Sequence, residues 1–196
     1  MIVEPVTLHG HRVRLEPLGE HHREALASAI SDGQLWEIPV TMVPHPNELD
    51  AFYARVAEAT SCGRELAFAT IDMERNMVVG STRFMSIDVA HRRAEIGFTF
   101  LATSAQRTHI NTEAKYLMLR HAFEQWKVNR IEFITDVLNT TSRAAIERIG
   151  ATHEGTLRNH FIMRGGRLRD SMMYSIIASE WPVVKRSLEQ VMGLTR

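Results

Sequence analysis

Apolar residues along this chain switch between two periods, and the switches mark its elements. Alternation runs through Arg12–Leu18 (RVRLEPL), with Val13 and Leu15 on one side, and predicts a strand stopped near Pro17. Glu20–Ile30 reads as a helix, with Gly33 just past its end. Asn47 is placed to cap a second helix running to about Ala59. Glu65–Asp72 (ELAFATID) and Met77–Ile87 (MVVGSTRFMSI) form a hairpin about the polar turn Glu74–Asn76. Ala94–Leu101 (AEIGFTFL) is a further strand, whose alternation puts Glu95, Gly97 and Thr99 on one face and Ile96, Phe98 and Phe100 on the other.

A helical stripe follows. Ala114, Leu117, Met118, Ala122 and Trp126 recur at three- and four-residue steps, behind Asn111 and Thr112 as cap residues and Glu113 in the first turn. Arg130–Val137 (RIEFITDV) is β-rich, and Asn139 opens a short helix with Ala145, Ile146 and Ile149 on its apolar side, ended by Gly150. His153–Met163 and Arg167–Ile177 pair across Gly165-Gly166. Ser179 begins a last helix, with Pro182 in its first turn and Val184, Leu188 and Val191 inward. The strand–helix–strand–helix order from 94 to 149 requires two neighbouring parallel strands joined by a right-handed crossover, whereas the hairpins are antiparallel. The fold class is therefore α/β (α+β), a single mixed, largely antiparallel sheet of about seven strands with helices on both faces. No repeat, linker or low-complexity tract interrupts it. Residues 1–196 read as one domain, with a core of about 12–178 and a C-terminal helix over 179–193.

Charge narrows the classes of partner. Lys plus Arg and Asp plus Glu each number 23, so no basic footprint for nucleic acid or an anionic membrane is present. The single cysteine, Cys62, excludes an internal disulfide and fits a reducing cytoplasm, and it has no evident base to make it a nucleophile. No apolar run approaches a spanning helix, and MIVEPVTLHG lacks the features of a secretory signal. His9/His11 and His21/His22 show no zinc-site spacing, and adjacent helical residues point apart, so no metal is expected. Walker-type and GxGxxG motifs are missing. What remains is the strand ending at Leu101 that feeds a polar loop and a helix N-terminus, an arrangement that offers free backbone N–H groups to an anion. Gln34–Pro46, apolar and punctuated by Pro39, Pro44 and Pro46 around Trp36, is either one wall of a substrate pocket or a loop packed on the core.

The element order, together with AEIGF at 94–98, QRTHINTEA at 106–114, DVLNTTSRAAIERIGA at 136–151 and EGTLR at 154–158, resembles the GNAT superfamily of acetyl-CoA-dependent N-acetyltransferases. The branch that includes the ribosomal-protein N-terminal acetyltransferases is the most similar, and the resemblance runs from about Val13 to Ile177. The family's pyrophosphate loop carries glycines where this chain has His109 and Asn111. The resemblance implies acetyl-CoA as co-substrate, no metal, and direct transfer of the acetyl group to a primary amine in a ternary complex. The alternative is a CoA-binding module without turnover.

By the same resemblance, the cofactor would lie against Phe100, Leu101, Thr103, Arg107, Thr108, His109, Ile110, Asn111, Thr112, Asn139 and Ser142. Glu95 is either a base acting through water or a glutamate salt-bridged near Arg92 and Arg93. Ser142 is placed near the sulfur. The tyrosine many relatives use as an acid is replaced here by Ile146, which leaves Ser142, water or no dedicated acid. Trp36, Glu95, Gly97 and Tyr174 are the candidates for the acceptor pocket, Tyr174 being otherwise a residue of the sheet packing, and the acceptor is a small-molecule amine or a protein N-terminus. Apolar residues near the last hairpin and helix suggest a homodimer.

Overall fold

The computed structural model describes residues 1–194. Its strands are β1 (Leu8–His9), β2 (Val13–Pro17), β3 (Leu66–Asp72), β4 (Met77–Asp88), β5 (Arg93–Leu101), β6 (Arg130–Asp136), β7 (Thr152–Ile162) and β8 (Leu168–Ile177). They form one sheet in the order β1-β2-β3-β4-β5-β6-β8-β7. Among the described residues only β5 and β6 are parallel, as the crossover requires. The sheet has eight strands rather than seven because Leu8–His9 folds back on Leu15 and Arg14, a pair of residues too short to carry a period. The helices are α1 (Arg23–Ser31), α2 (Leu49–Ser61), α3 (Ile110–Arg120), α4 (Thr140–Arg148) and α5 (Trp181–Val191).

Two apolar layers sandwich the sheet. Leu26 and Ile30 of α1 and Phe52 and Val56 of α2 pack with Ala67 and Phe100 on one face. On the other, Leu117 and Met118 of α3, Ile146 of α4 and Leu188 of α5 pack with Phe68, Phe84, Ile131 and Tyr174. Each large side chain buried in this way contributes about 1.5–3 kcal/mol. Val191, predicted to face inward, is exposed. Asn47 does not cap the second helix. Pro46, which has no N–H to lose, takes the first position of a 3-10 turn; His45 becomes the cap, its Nδ1 accepting from the Asn47 amide at 3.1 Å. At α3 the cap shifts likewise, from Asn111 to His109. Glu113 is buried and accepts from the amides of His11 and Arg12 at 2.5 and 2.9 Å, which ties α3 to the β1–β2 turn.

The alternation of β5 breaks at one residue. Ser81 stands opposite Phe100 and Arg83 opposite Gly97, so Phe98 and Thr99 together face Thr82, and Phe98 takes a left-handed φ of 47°. This β-bulge reverses parity beyond Gly97. Phe98 and Phe100 consequently leave the side of Ile96 and pack with the α2 layer, Phe98 lying 6.0 Å from the ring of Phe52. Thr99, predicted beside Glu95, turns to α3 instead, where its hydroxyl meets Lys115.

Tyr174, expected at the acceptor pocket, is fully buried in the α3–α4–α5 layer, and its hydroxyl donates to Glu147 Oε1 at 2.9 Å. Glu95 lies on the other face: it is level with Glu132, whose antiparallel partner is Ser175, one residue out of phase with Tyr174. Tyr174→Phe is therefore expected to cost about 1 kcal/mol of stability through the lost hydrogen bond. Urea unfolding of the two proteins measures this.

Candidate functional site

β5 and β6 pair only from Arg93 to Glu95 with Arg130 to Glu132, although β5 continues to Leu101 and β6 to Asp136. Beyond Glu95 the two strands part. The resulting cleft opens at their carboxyl ends, where α3 and α4 begin, the usual place for a ligand in a sheet with a parallel crossover.

The loop at the end of β5 is fastened at several points. Thr103 donates its amide to the Asp32 carbonyl at 3.0 Å, and its side chain occupies the space a Cβ at Gly33 would fill (φ +94°). Gln106 Nε2 donates to the Leu101 carbonyl at 2.9 Å. The Thr108 hydroxyl donates to the Ala105 carbonyl at 2.7 Å and accepts from the Ile110 amide at 3.3 Å. Arg107 makes the left-handed turn, with φ 57°. Glycine is thus not required at His109 (φ −66°) or at Asn111, both in right-handed backbone. The amides of Arg107, Thr108, His109, Asn111 and Thr112 are left without a partner among the described residues, at the positive end of an 11-residue helix. Two other predicted positions have their amides already bonded. Ile110 is buried with its amide given to the Thr108 hydroxyl, and the Thr103 amide is given to Asp32, the residue that closes α1. The side chains of Phe100 and Leu101 are buried in opposite layers, which leaves only their main chain on the cleft edge.

On the β6 arm, Asn139 Oδ1 accepts from the Ser142 amide at 3.0 Å and caps α4. Its amide nitrogen and the half-buried Ser142 hydroxyl make no further bond among the described residues. Ile146 is buried one turn on.

Glu95 is partly buried on the α2 face, and burial together with the neighbouring Glu132 pushes its carboxyl up to about 7, against the pull of Arg169. A Cβ at Gly97 would come within 2.8 Å of Glu95 Oε1 and 3.0 Å of Met85 Sδ, so a larger residue there would displace the carboxylate from its present position. Trp36 stands in the 35–46 segment, edge-on to His45 at 4.7 Å. That segment is tied to the β7–β8 hairpin by Arg167, whose Nη2 donates to the Pro39 carbonyl at 3.2 Å and to Asp136 of β6 at 2.5 Å, and just beyond it Glu48 pairs with Arg164 at 2.8 Å.

Three groups escaped the sequence reading. Lys115, in the first turns of α3, is buried, and Nζ donates to the hydroxyls of Thr99 at 2.8 Å and Thr82 at 3.1 Å with no carboxylate among its partners. Burial alone lowers its pKa to about 7. Arg83 is buried between the rings of Phe98 and Phe52, at 4.3 and 5.3 Å, and donates to Glu65 at 2.7 Å. Arg169 is buried on β8 beside Asp136 and Glu95. His21 and His22, predicted to point apart, lie with ring centroids 3.8 Å apart because Glu20–His22 is a 3-10 turn. With Glu16 their ligand atoms fall within 4.8 Å, but Glu16 is already held by Arg14 at 2.6 Å and His22 at 3.1 Å.

Residues 12–152 match the acetyltransferase (GNAT) domain family. YdaF of Bacillus subtilis (strain 168), a candidate ribosomal N-acetyltransferase, is 33% identical over 102 residues, 52% of this chain and 55% of its own length. This chain thus spans about half of that relative. A GCN5-related N-acetyltransferase from Brucella melitensis shares 30% identity and superposes with a TM-score of 0.84, over 95% of this chain and 85% of that one. RimJ from Mycobacterium smegmatis, solved with CoA-disulfide, has the same fold at 24% identity and a TM-score of 0.82, over 96% of this chain and 95% of that one.

The lysine beneath the bulge yields a prediction about stability. Its folded-state pKa is depressed, so the unfolded chain binds the extra proton between pH 7 and 10.5. Stability therefore rises with pH across that window, and the penalty is fully present below it. Lys115→Met is expected to stabilise the protein by several kcal/mol at pH 6 and by little at pH 10, as urea unfolding at the two pH values would read.

Proposed function

Since this chain belongs to the GNAT acetyltransferase family, we propose that it moves an acetyl group from acetyl-CoA to a primary amine by direct attack. The observation that carries this reading is the parting of β5 and β6 into a cleft with free amides at one end and Glu95 at the other. The amides of 107–109, 111 and 112 fit a pyrophosphate, with the exposed Arg107 beside them. The main chain of Phe98–Leu101 borders the acyl arm, and Asn139 Nδ2 is available to it on the facing arm. Bound there, acetyl-CoA supplies an activated carbonyl and a thiolate leaving group.

Glu95 takes a proton from the amine, directly or through one water, as the new C–N bond forms and the C–S bond breaks. A carboxylate near pKa 7 is well matched to this task. Ser142 or solvent supplies the proton to the departing sulfur. The walls formed by Trp36 and the strapped 35–46 segment bound the acceptor side, a small-molecule amine or a protein N-terminus. The exposed Phe161, Ile162 and Leu168 on the edge hairpin suit a homodimer, and the lone exposed Cys62 suits the cytoplasm.

Thiol release from acetyl-CoA over a panel of amines tests the reading. The rate should climb as Glu95 ionises, through pH 7, and Glu95→Gln should lower kcat by about 100-fold or more and flatten that limb. CoA binding without thiol release from any amine would favour a module that has lost turnover. Gly97→Ala, which presses on the carboxylate, is expected to lower kcat while the CoA-induced rise in Tm persists.

A further inference from the structure

The two ends of the acetyl-CoA site lie on different elements. The diphosphate end uses free amides at the start of α3, and the acyl arm follows the edge of β5 that β6 leaves uncovered beyond Glu95. The chain joins them only through residues 102–109, so their spacing depends on what crosses directly from α3 to β5. Among the described residues the polar link that makes this crossing is Lys115. It stands one helical turn after Asn111, whose amide is free. Its Nζ donates to the Thr99 hydroxyl at 2.8 Å and to that of Thr82 at 3.1 Å, and the two hydroxyls are 2.7 Å apart. These are the residues that face each other at the bulge. Lys115 is 5% exposed and Thr82 is fully buried, whereas Thr99 is exposed, since no strand covers its side of β5. A ligand in the cleft reaches Thr99 and not the ammonium behind it.

A methionine of similar length would fill the same space without the cost of a buried ammonium that has no carboxylate beside it. Stability therefore gives no reason for a lysine here, but geometry does. Phe98 holds a left-handed φ of 47°, a conformation that persists in a residue of this kind only where its surroundings fix it. On the α2 side the ring of Phe52 and the guanidinium of Arg83 hold Phe98, and on the α3 side Lys115 holds Thr99. We propose that Lys115 is a positioning residue for acetyl transfer. Acting through Thr99, it keeps the bulged main chain of β5 at a fixed distance from the diphosphate end of α3, so that the acyl group is presented at the end of the cleft where Glu95 stands. This rests on the acetyltransfer reading above.

The test reads stability and activity together. Lys115→Met is expected to unfold at a higher urea concentration than the wild type, and yet to lose about 10-fold or more in kcat/KM for acetyl-CoA, because a small displacement of the reacting group is costly. The KM of the amine, and the affinity for ADP, which has the diphosphate but no acyl arm, should stay at their wild-type values. Thr99→Val should show the same loss, and Thr99→Ser, which keeps the hydroxyl, should recover most of the activity. The double variant Lys115→Met/Thr99→Val should be little worse than either single one, as residues acting as a unit are. A kcat/KM within about twofold of wild type in Lys115→Met would overturn the proposal. Equal losses in Thr99→Ser and Thr99→Val, or a loss of activity matched by a loss of stability, would also overturn it. If Lys115→Met does not fold, the two Thr99 variants decide. Should the wild type release no thiol with any amine, the acetyltransfer reading fails, and calorimetric binding still decides the role of the lysine. A fall in the ratio of CoA to ADP affinity in Lys115→Met supports it, and an unchanged ratio refutes it.

Discussion

One inserted residue in β5 governs most of what surrounds the cleft. With Phe98 and Thr99 opposing the single Thr82, the strand bends and twists more strongly, as bulged strands do, just beyond the last residue that pairs with β6. The same event sends Phe98 and Phe100 into the α2 layer, where they join Phe52 beneath the guanidinium of Arg83. It also points Thr99 at α3. A regular β5 would have placed Thr99 beside Glu95 and two phenylalanines against α3, so the carboxylate, the aromatic wall and the opening between strands share one backbone cause.

The bulge is held from behind by an unfavourable group. Lys115 has no carboxylate to offset its desolvation, only the hydroxyls of Thr99 and Thr82, themselves 2.7 Å apart. A buried ammonium in that position is a poor choice for stability alone. Its hydrogen bonds fasten β4, β5 and α3 at the residue pair that makes the bulge. Natural proteins retain costs of this kind mainly where geometry matters more than stability.

The periods of the sequence were sufficient for the main elements, because the β hairpins and the longer helices each present one continuous apolar face. They were insufficient wherever parity or capping depended on a neighbour. AEIGFTFL alternates without interruption, and nothing in it marks the residue at which pairing slips. Pro46 displaced the cap from Asn47 to His45, a local rule that the spacing of Pro44 and Pro46 could have suggested. The family pattern puts glycines where this chain has His109 and Asn111, yet the chain turns at Arg107 and needs no glycine at either position. Tyr174 on the last hairpin could have bordered the pocket or packed in the sheet, and its parity with Met172 and Ile176 places it in the core. Arg169 was within reach of the sequence. Arg169, Ser171 and Ser175 share one side of β8 with Met173, and Arg169 and Ser171 are both buried there.

Glu95 and Lys115 occupy opposite faces of the same part of the sheet and cannot neutralise each other, although both are driven towards pH 7 by burial. Their effects on stability have opposite signs. The carboxyl holds its proton more tightly in the folded chain, so between pH 4.5 and 7 the folded state binds more protons than the unfolded one and stability falls as pH rises. Above pH 7 the lysine reverses the slope, because the unfolded chain now holds the extra proton up to 10.5. The two windows meet near neutrality, where the sum of these two contributions is at its lowest. A scaffold arranged for stability would have placed a salt bridge across that layer. This one keeps two unpaired ionisable groups apart, one beside the cleft and one fixing the backbone that shapes it, and the sum of their two contributions is lowest at the pH where a carboxyl so placed ionises.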